Sequence, residues 1–295
     1  MKRPLTVLFA LAAVPACADT EPAEPEAVAW ETMTPTEELH STHLWIVNRA
    51  VDQLQRQNSA AATRAYRLMT KASCRNAWQQ GLYDADYKAP YHGGWGDLKP
   101  GSSELDIAKA GATWAPHFYD PSTGVNYLGF SSPTARTETI AHGNAARTRL
   151  AAGDIKGGCY ELGLALHFFT DITQPMHSVN FTATDTPVKL HSDLEGYAMD
   201  IQSAYAIPGA ATLAVGTVTA EIEEAAWRAH DQWPAMIDAV EDAYAARCGS
   251  ITLFPVDVAS CWSGDARVDA ATGDALRSAQ TATAELVLAL DLPAR

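Results

Sequence analysis

A stretch rich in histidine and carboxylate side chains, Glu161–Glu195, constrains this chain more than any other feature. Three imidazoles and two carboxylates fall within 29 residues: His167, Asp171, His177, His191 and Glu195. The first two and the last two stand four residues apart, so each pair shares one face of an α-helix. A mixed set of nitrogen and oxygen ligands suits zinc in particular. Histidines that are merely packed in a core do not require two such pairs, so the stretch predicts helices around a zinc site.

Length and charge limit the classes of function. The chain has 295 residues, enough for one or two domains, and 47% hydrophobic residues supply a sizeable core. Its 21 basic and 35 acidic residues give a formal net charge of −14, and no basic stripe is present. Tight binding to a phosphate backbone relies on clustered Lys and Arg, so no nucleic-acid partner is expected.

The first residues read as targeting and processing sequence. Residues 1–18 are expected to be a signal peptide, because a basic start precedes an apolar run too short to span a bilayer. Cleavage after Ala18 is expected, while Cys17 also fits a lipoprotein anchor. Residues 19–29 are acidic and rich in Pro and Ala, which indicates a pro-segment that ends before Trp30. The protein is therefore expected to be made as a zymogen. Its mature form, residues 30–295, is expected to be soluble and either secreted or periplasmic.

The remaining cysteines agree with export. Four follow Cys17, namely Cys74, Cys159, Cys248 and Cys261. An even number in an exported chain predicts two disulfides with three possible connectivities, and the short segment between Cys248 and Cys261 favours that pair.

Hydrophobic periodicity predicts one all-α domain. The predicted helical stretches are Thr42–Gln57, Ala60–Tyr83, Thr134–Gly153, Gly157–Thr173, His191–Ala204, Thr219–Cys248 and Asp265–Asp291. Thr42 is the predicted N-cap of the first, and the second is expected to end at Gly81 or soon after. Asp84–Phe130 is rich in Gly, Pro, Tyr and Trp and predicts a long functional loop. Ala206–Val218 is compatible with a loop or a short pair of strands.

Four further residues are candidates for the same site. His43 lies at a helix start, Asp86 in LYDADY and His117 in a loop, and each alone is more often a packed or surface residue. Cleavage after Ala29 would give Trp30 a free α-amine, which loses its proton to a metal more readily than Lys does. His142 is expected to have no carboxylate partner four residues away on its helix, and to play no part.

Several motifs together give the chain a family resemblance. Trp30, HSTHLWIVNRA, LYDADY, HFYDP and LHFFTDITQPMHSVNFT followed by HSDLE resemble the bacterial zinc-dependent phospholipase C family, the secreted phosphatidylcholine-cleaving enzymes of Bacillus type. The resemblance runs from Trp30 nearly to the C-terminus. It implies an all-α fold with three zinc ions in one cleft lined by helix faces and long loops. The implied ligand sets are His117, His167 and Asp171; His177, His191 and Glu195; and the Trp30 amine and carbonyl, His43 and a bridging Asp171.

The resemblance also implies the chemistry. A zinc-activated water would attack phosphorus and release diacylglycerol and a phosphorylated head group, with Asp86 as general base. Tyr87 and Trp114 match the aromatic positions of a choline pocket, where cation–π contact holds a quaternary ammonium. Met33 stands at that pocket's acidic position, which leaves the preferred head group open.

Two alternatives remain. An exported single-strand nuclease of the related trinuclear-zinc type would be expected to close its last ligand pair with Asp, whereas this chain has Glu195. A catalytically inactive zinc-binding protein that adheres to lipid is the other. The expected partners are a phospholipid head group and, transiently, a membrane or micelle surface, and the protein is expected to be a monomer.

Overall fold

The described part of the chain is helical, which confirms the all-α prediction. The computed structural model describes residues 41–87, 114–182, 185, 190–249 and 259–293. Its α-helices are α1 Thr42–Arg56, α2 Ala60–Thr70, α3 Ala72–Tyr87, α4 Ala135–Ala152, α5 Ile155–Ile172, α6 Pro175–Ser178, α7 Leu190–Ile201, α8 Val218–Cys248, α9 Ala259–Trp262 and α10 Ala266–Ala289. Short 3₁₀ helices cover Ala115–His117 and Gln202–Tyr205. The described residues contain no β-strand, only an isolated bridge between Asp120 and Val125.

Helix α5 lies at the centre of the fold. Nearly every side chain from Gly158 to Ile172 is buried, as expected for a helix that is apolar on all sides. Helices α3 and α4 pack most extensively against it, and α8 and α10 pack against each other. A second apolar cluster joins α7, α8 and α9 around Trp262 and Tyr244. Because α5 is enclosed in this way, the polar residues that it carries are held in fixed positions.

Two glycines allow α3 and α5 to cross at close range. A Cβ at Gly81 would lie 2.2 Å from the Tyr160 carbonyl oxygen, and one at Gly163 would lie 2.0 Å from that of Trp78. Gly81 therefore sits in mid-helix as a packing residue. The prediction that a single helix Ala60–Tyr83 ends near Gly81 is wrong, because the helix is interrupted at Lys71 and α3 continues to Tyr87.

Other local predictions need correction. The N-cap of α1 is Ser41, whose hydroxyl accepts from the backbone N–H of Leu44, and Thr42 is the first helical residue. His142 does have a carboxylate four residues away, because its Nε2 lies 3.8 Å from Glu138. Its Nδ1 lies 2.8 Å from Glu161, so His142 belongs to a partly buried ionic cluster.

The segment between the second 3₁₀ helix and α8 is a loop rather than a strand pair. Buried side chains from the helices beneath it bind its backbone. Gln53 accepts from the N–H of Ala211, and Glu285 accepts from the N–H of Ala214. These bonds satisfy polar groups that a β-ladder would otherwise pair.

Two disulfides join the four cysteines. Cys248 and Cys261 are paired, as predicted, and connect the end of α8 to α9. Cys74 and Cys159 form the other bond and connect α3 to α5 beside their close crossing.

The predicted signal peptide and pro-segment, with Cys17, Trp30 and Met33, lie outside the described residues. Within the described part, none of the helices has the length and apolar content needed to cross a bilayer.

Candidate metal centre

One group of ligand atoms forms where α3 and α5 meet the 3₁₀ helix. His167 and Asp171 lie one turn apart on α5, and the 3₁₀ helix places His117 beside them. His117 Nδ1 lies 2.8 Å from Asp171 Oδ2 and 3.3 Å from His167 Nε2. Asp86, from the last turn of α3, places Oδ1 3.2 Å from His167 Nε2. We call Asp86, His117, His167 and Asp171 the first cluster.

A second group of ligand atoms forms between α6 and α7. Gln174 caps α6, and its side-chain oxygen accepts from the N–H of His177, which fixes the turn after Pro175. His177 Nε2 lies 3.1 Å from His191 Nε2, and the two nitrogens lie 3.3 and 3.1 Å from Glu195 Oε1. We call His177, His191 and Glu195 the second cluster. Glu195 is half exposed, so this cluster opens to solvent on one side.

Asp171 lies between the two clusters. Its Oδ2 faces His117 and His167, while its Oδ1 lies 3.5 Å from His177 Nδ1 and 3.7 Å from His43 Nε2. His43, from the first turn of α1, stacks on the His167 ring at 4.2 Å. A single carboxylate therefore has one oxygen in the first cluster and the other directed at His43.

Hydrogen bonds to the outer ring nitrogens determine which nitrogen faces inward. The Nδ1 atoms of His167, His177 and His191 lie 2.7–2.8 Å from the backbone carbonyls of Leu82, His117 and Phe181. A carbonyl only accepts, so each Nδ1 carries a proton and each Nε2 faces inward, where it can bind a metal when the imidazole is neutral. The Nδ1 of His43 likewise donates to the hydroxyl of Thr170, which itself donates to a backbone carbonyl of α5.

Charges around the first cluster shift the pKa values of its members. Burial lowers the pKa of His167, but the carboxylates of Asp86 and Asp171 outweigh it and raise the value to about 9. Burial and the neighbouring His167 lower the pKa of His43 to about 4. Desolvation raises the pKa of Asp86, but the adjacent His167 and His117 bring it below its usual range. The raised pKa of His167 and the lowered pKa of Asp86 both reflect the attraction between carboxylates and a cationic imidazole in this cluster.

These clusters fit a zinc ion. In the second cluster two imidazole nitrogens and a carboxylate oxygen converge on one point, an arrangement that a cation stabilises. Zinc bonds of about 2.0–2.1 Å in a tetrahedron separate the ligand atoms by roughly 3.3 Å. The separations in this cluster are 3.1, 3.1 and 3.3 Å. Ligand atoms also converge in the sets His43, Asp86, His167 and His117, His167, Asp171.

The structure brings together eight of the predicted site residues, namely His43, Asp86, His117, His167, Asp171, His177, His191 and Glu195. Asp86 lies among the ligand atoms rather than apart from them, which spacing alone did not predict. Trp114 precedes the 3₁₀ helix, and its ring lies 5.3 Å from that of His117. Tyr87 ends α3, but its side chain lies outside the described residues, as do Trp30 and Met33.

Sequence reasoning missed the groups that orient the ligands. Thr170 and Gln174 contact His43 and His177, and no spacing rule singles them out. The side chain of Gln174 also reaches Glu195 at 3.4 Å. The only signal was local, since Gln174 directly precedes Pro175 at the start of a helix.

Fold and site together define a helical protein with adjoining nitrogen and oxygen ligand clusters, and comparisons with known proteins agree. The zinc-dependent phospholipase C family model matches residues 42–252. The chain is 30% identical to a phospholipase C of Bacillus cereus over 178 residues, which are 60% of this chain and 56% of that protein. It is 31% identical to the phospholipase C of Listeria monocytogenes over 182 residues, 61% of this chain and 56% of that one.

Solved structures show the same fold. The alpha toxin of Clostridium absonum has a TM-score of 0.58 at 19% identity, covering 88% of this chain and 65% of the toxin. The alpha-toxin of Clostridium perfringens from an avian strain has a TM-score of 0.59 at 20% identity, covering 86% and 64%. This chain belongs to the zinc-dependent phospholipase C family. It spans about half the length of the curated relatives it matches.

Proposed function

We propose that this chain is a zinc-dependent phospholipase C. It would hydrolyse glycerophospholipids of the phosphatidylcholine kind to diacylglycerol and a phosphorylated head group. Family membership supports the reaction class, and relatives in Bacillus cereus and Listeria monocytogenes are named phospholipase C. Zinc is the metal of the family, and the donor set suits it.

The observation that carries the proposal is the position of Asp171. One of its oxygens lies with His117 and His167, and the other faces His43 and His177. A carboxylate shared in this way favours metal ions close enough to act on one phosphate group. We propose three zinc ions, with His117, His167 and Asp171 holding the first and the second cluster holding another.

The third zinc is proposed to bind His43, Asp171 and the amine and carbonyl of Trp30. This assignment requires that residues 1–29 be removed so that Trp30 becomes the N-terminus of a domain covering 30–295. We also propose that the mature protein is secreted or periplasmic. Lipid attachment at Cys17 would instead give an anchored form. Sequencing the N-terminus of exported protein tests all of these points.

Bound zinc supplies a Lewis acid that lowers the pKa of water and stabilises charge on phosphoryl oxygens. The residues of this chain would provide the rest of the chemistry. The imidazoles of His167, His177 and His191 are held with Nε2 facing inward, so no reorientation of the rings accompanies metal binding. The carboxylate of Asp86, partly exposed and 3.2 Å from His167 Nε2, is positioned to orient the attacking water and take its proton.

The head-group pocket is proposed to involve Trp114 and Tyr87. Trp114 lies beside His117, so an ammonium over its face would be near the first cluster. Met33 supplies no carboxylate to such a pocket. We therefore expect a weaker preference for choline over ethanolamine than a pocket with an added acidic residue would give.

A substrate panel tests the function. Zinc-loaded protein should release diacylglycerol from phosphatidylcholine, lose that activity on treatment with a chelator and regain it with zinc. Cleavage of single-stranded DNA or RNA without lipid hydrolysis would favour the nuclease alternative. Zinc binding without turnover of either substrate would favour the inactive lipid-adhering protein. Sedimentation of the same sample tests the proposed monomer.

A further inference from the structure

A rigid turn follows the 3₁₀ helix that carries His117. The side chain of Asn126, which is buried, accepts from the backbone N–H groups of Leu128 and Phe130 at 3.0 and 3.2 Å. Its amide donates to the carbonyl of Pro133 at 2.7 Å. Gly129 supplies a positive φ of 81° at the tip. One buried side chain thus holds three points of the turn, so its outer residues are presented in a fixed geometry.

The outer residues of this turn are apolar and exposed. Leu128 is 42% exposed and Phe130 is 58% exposed, although neither side chain is needed for the hydrogen bonds that form the turn. Only two other large hydrophobic residues of the described chain are exposed, Trp227 and Val215. Trp227 lies beside the start of the same segment, because its ring is 5.2 Å from that of His230, which approaches Asp120 at 4.0 Å. We call Leu128, Phe130 and Trp227 the apolar turn surface.

The apolar turn surface is continuous with the candidate metal centre. The ring of Tyr127 packs edge-on against Phe118 at 4.8 Å, and Phe118 stacks on the ring of His177 at 4.4 Å. The carbonyl of Val125 accepts from the side chain of Asn180, three residues after His177. A surface that the turn contacts would therefore lie next to the second cluster.

The charge of this region identifies the kind of surface it fits. Residues 114–135 contain no Lys or Arg, and Asp120 is their only acidic residue. The next cation, Arg136, is paired with Glu223. The loop is nearly uncharged and exposes Leu128 and Phe130, while Trp227 lies on α8, where the neighbouring Arg228 is paired with Glu224. Exposed Leu, Phe and Trp side chains of this kind resemble the residues that insert at the boundary between head groups and acyl chains. An anionic surface would instead be recognised by clustered basic residues.

We propose that the apolar turn surface inserts into the outer layer of a zwitterionic phospholipid surface and brings the metal centre against it. This inference rests on the proposed phospholipase function, because it explains how a substrate embedded in a layer reaches the site. Leu128 and Phe130 enter the layer and Trp227 lies at its boundary. The contact is hydrophobic, so it persists at high ionic strength.

Two substrates separate surface binding from catalysis. The double variant Leu128→Ser with Phe130→Ser is compared with the native chain on phosphatidylcholine vesicles and on a short-chain phosphatidylcholine kept below its micelle concentration. The double variant loses two apolar side chains that would be buried in lipid. Its vesicle binding, measured by flotation, should therefore be at least about tenfold weaker. Hydrolysis of vesicles should fall in proportion, while hydrolysis of the dissolved lipid stays unchanged. Val215→Ser, at a position that is 50% exposed on the loop before α8, is the matched control and should behave as the native chain.

Other outcomes overturn the proposal. Equal flotation of the double variant and the native chain would exclude the turn as the contact. Binding that requires anionic lipid and disappears in salt would assign it to charged residues elsewhere. A native dimer that the double variant dissociates, with vesicle binding intact, would assign the turn to contact between two copies. If the native chain floats with vesicles but hydrolyses neither substrate, the proposed function fails while the assignment of the surface stands.

Discussion

The close crossing of α3 and α5 gives a sharp prediction for Gly163→Ala. The added Cβ would lie 2.0 Å from the Trp78 carbonyl oxygen and 2.9 Å from the Leu82 nitrogen, whereas ordinary contact begins at 3.4 Å. These are backbone atoms of α3, so they cannot rotate away as a side chain can. The two helices must separate by about 1.4 Å, the shortfall of the shortest contact.

The expected cost follows from two opposing effects. Overpacking a well-packed core costs about 1–3 kcal/mol, and a contact with backbone belongs at the upper end of that range. Alanine in place of glycine inside a helix regains about 1 kcal/mol. The free energy of unfolding should therefore fall by about 2 kcal/mol, which lowers the melting temperature by roughly 4–8 °C in a domain of this size.

The measurement is urea unfolding by circular dichroism at one fixed free zinc concentration, since bound metal adds to apparent stability. Gly196→Ala is the matched control, because a Cβ there would meet nothing within 4 Å in mid-helix α7. It should raise stability by about 0.5–1 kcal/mol. If Gly163→Ala also proves stabilising, the close crossing is refuted, and with it the account of how Asp86 reaches His167.

Three further changes test the site and the fold. Asp86→Asn keeps an oxygen at the same position but removes the base, so kcat should fall at least about 100-fold. Zinc per chain, measured by atomic absorption, should stay the same. A loss of zinc would make Asp86 a ligand instead. Thr170→Val removes the acceptor for His43 Nδ1 and should weaken binding of the most weakly held zinc about 10-fold or more in a chelator competition, whereas Thr170→Ser should not. Replacing Cys74 and Cys159 by alanine should lower the free energy of unfolding by about 1.5 kcal/mol more than replacing Cys248 and Cys261, because the two disulfides close loops of 85 and 13 residues. Equal losses of stability in urea unfolding would contradict this.

Local spacing in the sequence was sufficient to predict part of the site. His167 with Asp171, and His191 with Glu195, face one way because a helix places residues four apart on one side. The same periodicity predicted the buried helix α5 nearly to its ends. The family resemblance added His43 and His117, which come from distant parts of the chain.

What the sequence did not reveal depends on contacts between distant segments. Gly81 resembled a helix end, because glycine usually marks one, and its role is visible only where α3 crosses α5. That crossing also sets the position of Asp86 beside His167, so its place among the ligand atoms could not be predicted. The carbonyls that fix the histidine tautomers, such as that of Leu82, belong to the backbone and leave no trace in residue identity.

The most direct test of the account combines three measurements on one exported sample: the N-terminal residue, zinc per chain, and diacylglycerol released from phosphatidylcholine. The account predicts a chain that begins at Trp30, holds about three zinc ions and releases diacylglycerol. A chain that begins at Cys17 or Asp19, yet holds three zinc ions with full activity, would contradict the assignment of the Trp30 amine. A zinc-loaded chain that releases no diacylglycerol would contradict the central claim.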